Sequence, residues 1–157
     1  MTTANTVFSG PAHVVDPIKR SAVIASGETL YPGQLVELDS TGEWQEHSTA
    51  GTGADLAIID ANVIEQKSVT EALTAGDTAS AFIPQVGYTY NLVLAASQTI
   101  TVGEALTSNG SGEAKSATIT GATPDVVLFV AEEAVTTTGA TGRIRARYVA
   151  SGVKATA

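Results

Sequence analysis

Residues 21–61 of this chain slide onto residues 91–131 at a constant offset of 70, without a gap. Val23 meets Val93, Ala25 meets Ala95, Thr29 meets Thr99, Gly33 meets Gly103 and Gly42 meets Gly112. Glu43 meets Glu113, Gly51 meets Gly121, Asp55 meets Asp125 and Ala61 meets Ala131. Apolar pairs such as Ile24 with Leu94, Leu30 with Ile100 and Val36 with Leu106 fill the intervals. What recurs is turn glycines and strand faces, with almost no reactive side chains. A duplicated β-scaffold that presents a surface satisfies that pattern.

The chain around the repeat is short. Its 157 residues fit one domain, in which an N-terminal segment, 1–20, lies outside the repeat and a body, 21–157, contains both copies. Residues 1–20 sustain neither helical nor strand periodicity, and read as an extended arm able to pair with something else. The body reads as strands and turns. SAVIAS leads to a Pro32-Gly33 turn and QLVEL, and then the Asp39–Gly42 turn precedes the returning EWQEHS. The second copy repeats the plan with NLVLAAS, EALTS, an Asn109-Gly110 hairpin loop and EAKSATI. Apolar runs after Asp55 and Asp125 are core candidates. Residues 68–76, with Ser68 followed by Glu71 and a Gly stop, carry the one helix signal, worth one or two turns. The expected fold is all-β: a compact barrel or sandwich-like body, β-tulip-like, with an internal duplication, an extended N-terminal arm and little helix.

Composition excludes several function classes. Cys is absent, so disulfides and thiolate metal sites contribute nothing. A net charge of -8 disfavours nucleic acid, which demands a concentrated basic surface. No apolar stretch is long enough for a membrane span and the start lacks a secretory pattern, so the chain is expected to be soluble and unexported. No metal and no cofactor are expected: His13 and His47 have no ligand spacing and read as solvated, and no phosphate or calcium loop occurs. No nucleophile elbow is present, and Asp55 and Asp125 are best read as turn-closing residues, so the chain is not expected to be an enzyme.

What remains is surface. Trp44, the only tryptophan, follows the first turn where Ala114 stands in the second copy, and is either a core plug or an anchor for a subunit or partner contact. Near the C-terminus Arg143, Arg145 and Arg147 alternate with Ile144, Ala146 and Tyr148. Period two places the arginines on one face of a half-buried strand and the apolar set on the other. With no acid after Glu133, this segment is locally basic, and the three arginines are candidates for contact with an acidic neighbour.

The loose arm, residues 30–43 (LYPGQLVELDSTGE), residues 100–113 (ITVGEALTSNGSGE) and residues 75–87 (AGDTASAFIPQVG) resemble the capsid decoration, or cement, proteins of tailed bacteriophages, including the lambda head-decoration type. The resemblance implies a non-enzymatic virion protein, made in the host cytoplasm, that binds the outside of an expanded capsid and bridges major capsid protein subunits. It also implies a homotrimer whose arm adds a strand to the shell. Val7, Phe8, Pro11, Val14 and Val15 are then the candidate capsid-binding residues. A tail, baseplate or fibre component is the first alternative, and a small β-barrel ligand-binding or hydrolase domain the second.

Overall fold

The computed structural model describes residues 7–10, 17–61 and 68–149, and every regular element in them is a strand. After β1 (Phe8–Gly10), the first copy supplies β2 (Lys19–Val23), β3 (Thr29–Leu30), β4 (Leu35–Leu38), β5 (Trp44–Glu46), β6 (Ala57–Ile59), β7 (Leu73–Thr74) and β8 (Thr78–Phe82). The second supplies β9 (Thr89–Leu94), β10 (Thr99–Ile100), β11 (Ala105–Ser108), β12 (Ala114–Ser116), β13 (Phe129–Ala131), β14 (Val135–Thr136) and β15 (Gly142–Tyr148).

Both copies build the same ring. In the second, β9, β12, β11, β13 and β15 pair in that order, and β15 returns to β9 to close a five-stranded barrel. In the first, the order β2-β8-β6-β4-β5 follows the same path, and a parallel bridge between Ile24 and Trp44 draws the ends together. The matching bridge in the second copy joins Leu94 to Ala114, 70 residues on at both positions. A two-stranded flap accompanies each ring, β3 with β7 and β10 with β14.

Local chemistry repeats with the rings. Asp39 accepts from the backbone N–H groups of Thr41 and Glu43, and Asn109 from those of Ser111 and Glu113. These are the Asx turns that reverse each hairpin, with positive-φ glycines at Gly42 and Gly112. Gln34 likewise catches the N–H of Tyr31, as Glu104 catches that of Thr101.

The constant offset does not survive to the end of the repeat. Ile58 lies opposite Leu35 while Val130 lies opposite Ala105, so the offset is 72 at β6 and β13. Two residues have entered the second copy between β12 and β13. Asp55 and Asp125 differ accordingly: Asp55 is exposed in a turn at φ 53, whereas the Asp125 carboxylate accepts from Thr118 N at 2.8 Å. Residues 68–76 form no helix. Glu71 caps Ser68 N and donates its own N–H to Ser68 O, but this closes a single turn before β7. Leu73 pairs with Leu30 there and is 1% exposed, so burial in the flap overrides the local signal.

Adjacent residues of β4 and β6 are buried on opposite faces. Val36, Ala57 and Ile59 pack with Ile24, Leu30 and Trp44 inside the first ring. Leu35 and Ile58 join Leu92, Leu106, Phe129 and Ile144 in a larger core that spans both copies. The shared wall explains why LAII reads as an unbroken apolar run. Each fully buried aliphatic side chain contributes about 1.5–3 kcal/mol, and with no disulfide these two cores are the main source of stability.

Candidate functional site

The copies meet along a seam, and its chemistry is made of backbone approach. The Gly33 turn of the first copy lies against β9, where Gly33 O accepts from Val93 N at 3.0 Å. A Cβ on Gly33 would come within 2.6 Å of Asn91 O and 2.7 Å of Arg143 Nη1, so only glycine fits. Leu35 N donates to Gly112 O, and Gly51 N to Ser108 O, extending the contact along the wall.

Arg143 is part of this seam. Its Nη2 donates to Pro32 O at 2.8 Å and to Val69 O, reaching 111 and 74 residues back in the chain. Burial lowers the pKa of the guanidinium, whose charge is met by carbonyl dipoles in place of a carboxylate. The expectation that all three arginines face an acidic partner is therefore corrected at Arg143, which is a tie within the chain. The other two stay on the surface but already have acids: Arg145 Nε is 3.5 Å from Glu133 and Arg147 Nε 3.6 Å from Glu132. The alternation itself is as expected, with Ile144 and Ala146 both fully buried. β15 is paired on both sides, to β9 and β13.

Trp44 is also corrected as a partner contact. It is 1% exposed, packs in the first core and donates Nε1 to Ala79 O at 3.1 Å. Of the arm residues, Val7 is 1% exposed and belongs to the larger core, and its carbonyl accepts from Asn91 N at 2.5 Å. A side chain sealed there does not reach a shell. Phe8 lies on β1, opposite Tyr90 of β9. Pro11, Val14 and Val15 lie outside the described residues, as does His13.

His47 was expected in solvent, yet it is fully buried at the seam. Its Nδ1 is 2.9 Å from Ser108 Oγ of the other copy and its Nε2 3.8 Å from Glu37 Oε2. The residue types are those of a hydrolytic triad, but His47 Nε2 makes no hydrogen bond, and Ser108 is itself fully buried and receives Gly110 N at 3.2 Å. A nucleophile must reach substrate, so this group clamps the two copies. Burial pushes the Glu37 carboxyl up, but bonds from Ser48 and Gln45 and the nearby His47 outweigh it and hold the pKa below the usual range. Its stabilisation is present above the unfolded-state pKa and is lost as pH falls through the folded-state value.

Over the seam lies an open cleft of about 1220 Å³, lined by Tyr31, Val69, Thr136, Thr141, Glu133 and Arg145 among others. Among the described residues no group of three His, Asp or Glu side chains could hold a metal ion. Among the described residues, too, no helix is long and apolar enough to cross a membrane. Signals for the seam were faint in the sequence: Gly33, Gly51 and Gly112 were legible as turns, while their role in close approach was not.

These features define an all-β protein of two similar five-stranded rings joined side by side through glycine turns. Among solved structures, the N base of the head fiber gp8.5 in bacteriophage phi29 is similar, with a TM-score of 0.51 and 15% identity over 83% of this chain and 94% of that one. At that identity the likeness is one of fold. No protein-family model matches the chain, and no curated protein does.

Proposed function

We propose that this chain is a structural protein of a phage virion, which binds the outside of the capsid and cements it by bridging major capsid protein subunits as a homotrimer. The observation that carries the reading is the duplicated ring fold, similar over most of both chains to a phage head fiber base. The decoration-protein resemblance of residues 30–43 and 100–113 supports the same class. The interior chemistry is spent on joining the copies, and the proposed role requires no catalysis, cofactor or metal. Because Val7 is buried, shell contact falls to outward surfaces of the body and to arm residues beyond β1. Binding only the assembled shell would stabilise it by mass action, and repetition over the lattice would multiply a modest affinity.

A second reading, a fibre base that docks on the head to carry a distal element, is favoured by the same structural likeness. Co-sedimentation of the full chain with expanded, undecorated capsids tests the first. Saturable binding that also raises the temperature of shell disruption supports cementing. Binding with no change in shell stability moves the assignment to the fibre base, and no binding removes both.

A further inference from the structure

Among the described residues the seam is a heterologous contact used once within the chain, and both of its halves occur a second time unused. The turn of the second copy, Thr101–Glu104, matches the docked turn of the first bond for bond. Gly103 N donates to Ala131 O as Gly33 N does to Ile59 O, and Ala131 N returns to Glu104 O as Ile59 N does to Gln34 O. The φ angles of the two glycines are 85° and 89°. Yet a Cβ on Gly103 would meet nothing within 4 Å, and Val102 is 67% exposed where Pro32 is buried.

The receiving edge is duplicated too. Val93 N donates to the docked turn on the outer edge of β9; its counterpart is Val23 on β2. Ile24 N bonds inward to Asp77 O, so alternation along the strand turns the N–H groups of Ser21 and Val23 outward. No described residue accepts them. Val23 is 38% exposed against 8% for Val93, which has the docked turn against it.

We infer that the outer edge of β2 receives the Val102-Gly103 turn of a second copy of this chain, with Val23 N donating to Gly103 O as Val93 N donates to Gly33 O. The partner's chemistry is thus specified: a positive-φ glycine turn offering one free carbonyl to an open strand edge. A heterologous contact of this kind passes from chain to chain and closes into a ring where its rotation permits. Thr78 stands opposite Val23 where Arg143 stands opposite Val93, so the contact between chains lacks the arginine tie and is weaker than the internal one.

The inference rests on the self-association in the proposed function and is independent of shell binding. The chain has no cysteine, so introduced pairs report directly. Under mild oxidation, mixed V23C and V102C chains should form a disulfide-linked pair at a yield well above that of either variant alone. Val102→Asp should weaken self-association, read as solution mass against concentration, by about tenfold or more while leaving the melting temperature of the monomer unchanged. An oligomer whose mass is indifferent to Val102→Asp, with no cross-link between the mixed variants, overturns this docking and leaves another trimer interface to be found. A wild-type chain that stays monomeric overturns both the docking and the trimer, while shell binding is decided by co-sedimentation.

Discussion

Two glycines 70 residues apart share a backbone conformation and differ in what surrounds them, which separates conformational cost from packing cost. Gly103→Ala forces a side chain into positive φ in open space and should cost about 1–2 kcal/mol. Gly33→Ala adds the clash with Asn91 O and Arg143 and should cost about 2–5 kcal/mol. Parallel denaturant titrations check the contrast, and equal losses would mean that the Gly33 approach relaxes freely. Glu46 offers a test by pH. Burial raises its carboxyl pKa, Glu28 and Glu113 add to the rise, and Gln34 partly offsets it. The folded state therefore holds this proton more tightly than the unfolded one, so the ionised form opposes folding at neutral pH and that opposition fades as pH falls through the folded-state pKa. Glu46→Gln should stabilise by about 0.5 kcal/mol near neutrality, a value typical of screened charges. It should give no gain in acid, and thermal melts at the two pH values check the sign.

Among the elements, β15 shows how one alternating strand divides its duties. Arg143→Ala removes a charged donor from Pro32 O and Val69 O and should cost about 1.5–3 kcal/mol. Arg145→Ala removes a half-exposed ion pair and should cost no more than about 1 kcal/mol. Urea unfolding of both variants decides whether the first arginine is structural. Strand and turn positions were legible in the sequence because hairpin chemistry is local: Asp39 and Asn109 close their turns wherever the hairpins lie. The helix at 68–76 was misread because the Glu71 carboxylate reaches back to Ser68 N at a tight turn just as it would at a helix start, while the Ser68 hydroxyl turns to Thr70. The register slip after β12 was hidden because the identities at Gly51 and Asp55 fall within a loop, where matching letters do not impose matching geometry. Trp44 was left open between core and contact, and His47 was misplaced, for one reason: a polar or aromatic residue on a short hairpin declares itself buried only once the facing element is known.

At the level of the whole molecule, the duplication and the all-β class were legible, and the way the copies meet was not. Ring closure requires β15 to find β9 and β8 to find β2, pairings set by distant contacts that no local pattern encodes. Seam residues such as Arg143 and Ser108 acquire their roles only after the two rings adopt one relative placement. That placement also crosses the chain order at one point. Everything needed for the first ring has been made by Phe82, whereas β1, the earliest of the described strands, has its partner on β9 in the second. On a ribosome, which releases a chain from its N-terminus, β1 emerges ahead of the first ring and must therefore wait while that whole ring is synthesised after it, and it joins the sheet only when the second half has appeared.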